Sequence, residues 1–269
     1  MRKAKKIEMN AENYDFQIAM KQNVREKIEP LLYENKFKKS TQTKYAREMD
    51  GVIQKICIGV GKHRMRSFAS YIPVFLPFDS ILEYGIKISS YEASKLLGGE
   101  YFKHSYLVDI TEDEFHDDRE VLFQHYKNEL IGRFDDLVYV IKEGILYEMN
   151  HKVNSLDNFM NVFWKNKEFL GDDFWKTCTK LIVHKYIVAV YECLKGEFEE
   201  GVIQLKKLRN RIEEDSRNAD DEDEEEEDIK GYINRLLKEE NGKLDKEQFL
   251  INYEEICNER RKKYKLLKK

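Results

Sequence analysis

TQTKYAREMDGVIQKICIGV, Thr41–Val60, decides the fold of this chain. Its first half alternates Thr41, Thr43 and Tyr45 on one face of an extended run, and it stops at Met49-Asp50-Gly51. Asp-Gly between two extended runs is a strong two-residue hairpin signal, because both turn positions need positive φ. Val52–Val60 then reads as a second strand, rich in β-branched residues. A third follows. Gly59, Gly61 and Lys62 make a turn into Phe68–Phe78, FASYIPVFLPF. Pro73 and Pro77 cannot donate to a ladder, so this strand is expected to lie at an edge or to bend there.

Working outward, the rhythm becomes helical. Phe16, Met20, Val24, Ile28 and Leu31 recur at spacings of four and three, which predicts an amphipathic helix over 11–35 with Pro30 near its end. Beyond the third strand, Tyr84–Tyr91 and Tyr101–Ile110 are further extended candidates, so the sheet is expected to hold three to five strands over about 37–110. Thr111 and Glu114 have capping-box spacing, and apolar residues from Phe115 to Ile145 continue at helical intervals with Gly132 or Gly144 as the kink position. Ser155 opens a helix to Leu170, and Asp172 opens an apolar one to Lys195. Gly196 breaks it. The stripe Phe198, Val202, Leu205, Leu208 and Ile212 predicts a partner helix, and the two should form an antiparallel hairpin. Its turn, LKGEFEEG, resembles one tetratricopeptide unit, but no second copy follows at the required period.

From Glu213 to Asp228, twelve acidic residues stand against one arginine; the run carries −11, and since the whole chain carries −4 the remainder carries +7. Only Ala219 is apolar between Asp215 and Asp228, so this stretch reads as a flexible loop. Helical patterns resume at Ile229, and Asp245 with Gln248 caps the last helix. The expected organisation is α+β: a body over 1–212 with helices over 112–212, an acidic flexible loop over 213–228, and C-terminal helices over 229–269 packing on the body.

With 41% hydrophobic and 12% aromatic residues the chain can bury a large core, and with 3 Pro and 13 Gly it lacks the turns of an all-β sandwich. Cys57, Cys178, Cys193 and Cys257 are too dispersed for a zinc site or a disulfide scaffold and read as reduced core thiols. There is no apolar stretch of signal-peptide or membrane-spanning length, so a cytoplasmic protein without membrane contact is expected. The mildly basic body has scattered cations beside a competing acidic run, which argues against nucleic acid as partner.

The densest group of possible ligands is Asp109, Glu112, Asp113, Glu114, His116, Asp117 and Asp118. Acidic residues in a first helical turn favour the helix dipole, and successive side chains point around the axis instead of converging. Glu112 and His116 are therefore weak metal candidates, and no catalytic residue and no cofactor is expected. No nucleophile elbow or phosphate loop is present. His184 reads as a packed core histidine. Lys62, His63, Arg64 and Arg66 form the most basic loop near the sheet, fit for an anion or an acidic partner, or simply a solvated hairpin tip. Tyr45, Tyr71, Tyr84 and Tyr101 line a sheet face that is either open to a ligand or covered.

Ile28–Ile58, IEPLLYENKFKKSTQTKYAREMDGVIQKICI, resembles the opening of a bacterial family of domains of unknown function (DUF4304-like). Leu31 and Leu32, Phe37 to Lys39, Tyr45, Arg47 and Gly51 to Ile58 fill the family's places, while Lys36 stands where its Gly is expected. The resemblance implies an α+β fold without an established catalytic residue, and such domains are similar to small cytoplasmic proteins suspected of neutralising bacterial toxins. Three functional expectations follow. The first is a non-enzymatic protein-interaction module, with immunity to a toxin as its role, in which a sheet face or the acidic residues Asp220, Asp221, Glu222, Asp223, Glu224 and Glu225 engage a basic protein partner. The second is a metal-dependent hydrolase or nuclease around Glu112 and His116. The third is a scaffold that holds a peptide in a concave groove beside Phe198, on the Ala189–Ile212 hairpin. The oligomeric state is left open.

Overall fold

The computed structural model describes residues 18–60, 65–77, 88–89, 134–165, 178–218, 224–240, 242 and 244–267. They form an α+β fold: an N-terminal helix, an antiparallel sheet, and a largely helical remainder. The chain divides into two compact units, the first made of Met1–Arg47, Lys55–Ala69 and Lys87–Lys152, the second of Glu48–Gln54, Ser70–Ile86 and Val153–Lys269. The division runs through the strands.

The sheet strands β1 (Lys38–Lys39), β2 (Lys44–Met49), β3 (Val52–Val60), β4 (Met65–Pro73) and β5 (Ile88–Ser89) lie in chain order. Asp50 and Gly51 make the expected hairpin, with φ of 39° and 80°. The first long strand starts at Lys44, later than the threonine alternation predicts. Ser40 turns the chain back instead: its backbone N and its Oγ both donate to the Lys44 carbonyl, and this local closure takes Thr41 and Thr43 out of the strand. Strand β4 ends at Pro73, where the donor is missing, and a turn closes from Leu76 N to Pro73 O at 3.0 Å. In β5, Ile88 faces Ala69 and Ser89 faces Phe68. The expected strand Tyr101–Ile110, the capping box at Thr111 and the helix before Phe134 lie outside the described residues.

In the first unit the helix over 18–34 contains a π turn, Val24–Ile28, followed by α1 (Glu29–Glu34). Pro30 sits in the first turn of α1. Having no N–H and a ring that crowds the carbonyl four residues back, it fits behind a widened turn. A second π segment, Val140–Leu146, joins α2 (Phe134–Tyr139) to α3 (Tyr147–His151) and includes Gly144, which the sequence marks as a kink. The unit's core combines Met20, Ile28, Leu32, Phe37, Ile56, Ile58 and Met149.

A polar network threads this core. Arg47, only 5% exposed, donates to Asn35 O at 2.8 Å and to Asn150 Oδ1 at 2.6 Å, while its guanidinium lies 4.5 Å from the Phe37 ring centroid. Tyr45 donates to Glu29 at 2.6 Å, and Lys39 pairs with the same carboxylate. Burial works to raise the Glu29 carboxyl, but the hydrogen bonds from Lys39 and Tyr45 outweigh it and hold the group below the usual range. The Tyr45 hydroxyl is pushed up, by burial first and by Glu29 second. Tyr45 and Tyr71 are each buried, so neither is open to a ligand.

In the second unit the hairpin end of the sheet is joined by α4 (Leu156–Lys165), α5 (Cys178–Lys195), α6 (Phe198–Asn218), α7 (Glu224–Leu236) and α8 (Lys246–Lys263). Ser155 Oγ caps α4 through Asn158 N at 3.1 Å, and Asp245 caps α8 through Gln248 N at 3.0 Å, both where the sequence places them. Gln54, fully buried in β3, donates to Val153 O at 2.7 Å. Tyr186 donates to Phe75 O at 3.1 Å, and Arg260, 2% exposed, donates to Pro77 O at 3.0 Å. Asn252 donates to the carbonyls of Leu236, the last residue of α7, and of Lys238 just beyond it. The acidic stretch read as a loop is helical over 213–218 and 224–228, because α6 runs to Asn218 and α7 starts at Glu224.

Candidate functional site

The α5/α6 hairpin is built around two glycines. Gly196, at φ 122°, supplies the turn that no L side chain adopts comfortably. Gly201, on α6, lets the two helices touch. A Cβ added there would stand 2.5 Å from Cys193 Sγ, 2.7 Å from Ala189 O and 2.8 Å from Cys193 N, all well inside contact distance. The Cys193 thiol donates to Phe198 O at 3.8 Å, and the Phe198 ring meets Phe249 edge-on at 5.6 Å. Burial, assisted by Glu192, pushes the Cys193 thiol up to about 12, which marks it as packing, not chemistry.

This turn end is also acidic. The Glu192 carboxyl is raised by burial and then by Glu197 and Glu200 nearby. Lys195, the last residue of α5, lies 2.7 Å from Asp157 Oδ1, which also accepts from the Tyr191 hydroxyl at 3.0 Å. The hydrogen bond from Lys195 is the main reason the Asp157 carboxyl is held below its ordinary value, and the same bond raises Lys195.

Farther from the turn the character reverses. Gln204, Lys207, Leu208 and Arg211 fall at i, i+3, i+4 and i+7 of α6, one face of a helix, and with Lys185 of α5 they line an open groove of about 280 Å³. Leu208 is the buried floor at 4% exposure, whereas Lys185 and Lys207 project into solvent. Arg211 pairs with Asp215 at 3.4 Å. Neither Lys185 nor Lys207 has a carboxylate partner among the described residues. Three cations and an amide over an apolar floor can hold a short acidic or amphipathic segment; the amide nitrogen of Gln204 already donates to Glu200 Oε1 at 3.4 Å.

The sites singled out in the sequence fare differently. Glu112, His116, Lys62, His63, Arg64, Asp220, Asp221, Glu222 and Asp223 lie outside the described residues. Arg66 is in β4, Glu224 opens α7 exposed, and Glu225 follows within that helix. No group of three His, Cys, Asp or Glu that could hold a metal occurs among the described residues. His184 is buried in α5, Cys193 and Cys257 are buried, and Cys57 is half-buried. The groove expected beside Phe198 is displaced: Phe198 packs on Phe249, and the opening lies farther along α6 at Gln204–Arg211. Lys185 and Gln204 were not singled out by sequence. The available signal was the pair Lys207 and Arg211, four apart and flanking Leu208.

Compared with family models, with curated proteins and with solved structures, the chain matches none of them. No helix among the described residues is long and apolar enough to cross a membrane.

Proposed function

We propose that this chain is a protein-interaction module that receives a segment of a partner protein in the α5/α6 groove. One observation carries the reading: an opening on a well-packed helical hairpin whose floor is apolar and whose two lysines have no carboxylate partner among the described residues. Rigid helices hold such a surface more precisely than loops do. Of the three readings of the sequence, peptide capture by the hairpin is the one this geometry favours. The resemblance over Ile28–Ile58 supports a toxin as the partner.

Affinity purification of the intact chain beside a Lys207→Glu/Arg211→Glu variant tests the reading. The partner retained by the wild type should be lost by the variant, with both proteins equally folded by circular dichroism. Identical partners on both would remove the groove from the function.

A further inference from the structure

Resting on the reading of the groove as a protein-docking site, we infer that its occupant is a short acidic peptide segment with one apolar side chain, presented by a different protein. The lining dictates each part. Lys185, Lys207 and Arg211 supply positive charge around one opening, and Leu208 supplies the floor. A carboxylate-bearing segment completes the lysines electrostatically, and an apolar side chain on it covers Leu208. Gln204 and Arg211 stand seven positions apart on α6, about 10 Å of helix, so the groove is matched to a few extended residues and not to a docked helix.

The surroundings narrow the class further. Single-stranded nucleic acid is normally held by a long basic track with aromatic platforms for its bases. Here no aromatic side chain is among the described residues that line the opening, and Asp215 stands beside Arg211. A continuous polyphosphate would meet that carboxylate, whereas a peptide can place a neutral or apolar residue opposite it. The same hairpin is acidic at its turn, around Glu192, Glu197 and Glu200, so the polarity along its length sets the direction in which an acidic segment enters.

The test is fluorescence anisotropy on the full chain with three labelled peptides of equal length: Glu and Asp around a single Leu, the same peptide with Lys for every acid, and Gly/Ser only. The acidic peptide should bind the wild type, and Lys185→Glu/Lys207→Glu should weaken it by about tenfold or more, the scale expected when close charge pairs are reversed. Raising salt from about 0.05 to 0.3 M should weaken it several-fold, because these charges are exposed and screened. Equal binding of the basic peptide, or unchanged affinity in the variant, would overturn the assignment. So would self-association of the wild type that the same substitutions abolish, since the occupant would then be a second copy. A partner lost by the groove variants in purification, together with no binding of the acidic peptide, would leave the docking reading standing and remove only its acidic occupant.

Discussion

The two ends of the α5/α6 pair are made from the same two helices and do opposite things. At the turn, Gly201 removes a side chain so that Cys193 and Ala189 meet backbone directly, and carboxylates gather around the contact. Toward the other end, long cationic side chains stand off from each other over Leu208 and leave space. A helix pair can thus concentrate its stability where the side chains are smallest and keep a recognition surface where they are largest. The cohesive end makes the open end affordable.

The sharpest way to break this contrast is at Gly201. Alanine improves helix propensity by about 1 kcal/mol, but its methyl would overlap Cys193 Sγ and the Ala189 carbonyl, and forced overpacking costs about 1–3 kcal/mol. Backbone atoms cannot swing aside as a side-chain tip can, so the overlap should win. Urea unfolding of Gly201→Ala should give a lower midpoint with little change in slope; a more stable variant would mean that the turn end is not tightly closed.

A smaller effect is expected from the Asp157–Lys195 pair, which is exposed and so contributes about 0.2–1 kcal/mol. Its pH window has two limits. The Asp157 carboxyl is lowered on folding, so its share is present above the ordinary carboxylate range and lost as pH falls through the lowered value. Lys195 is raised, so its share is present at neutral pH and lost only as pH climbs through the raised value. Asp157→Asn should therefore lower stability at neutral pH and flatten the acid limb of a melting-temperature profile. An unchanged profile would show that Lys195 is not tied there.

The smallest change in stability belongs to the groove. Lys207→Glu should shift stability by no more than about 0.5 kcal/mol, as an exposed substitution away from packing, measured by thermal melting. A larger loss would make Lys207 a structural residue and erase the division of labour.

Much of this architecture is legible in the sequence where local chemistry is decisive. Asp50-Gly51 can hardly be anything but a tight hairpin, and Val52–Val60 is bounded as its composition demands. Ser155 and Asp245 cap where they should. Thr41 and Thr43 mislead, because alternation is blind to the Ser40–Lys44 closure that removes them from the strand. The acidic run misleads for a different reason. Charge density argues against burial, but glutamate is a good helix former and i, i+3 or i, i+4 pairs such as Lys230–Glu227 and Arg211–Asp215 support the helix ends that enter the run. The groove itself is invisible to periodicity, which identifies the apolar face of α6 but not the stretch of it that lines an opening. Leu208 belongs to the same stripe as Leu205 and Ile212, and only the structure separates the floor of an opening from the core.

The π turn at Val24–Ile28 gives the N-terminal helix an insertion already absorbed into its winding. Deleting one residue from it would restore regular α winding over almost the same total rotation and leave Met20 on its buried side, whereas the same deletion in an ordinary α stretch would turn everything upstream by about 100°. At that place the chain can lose a residue without turning the buried face of its helix.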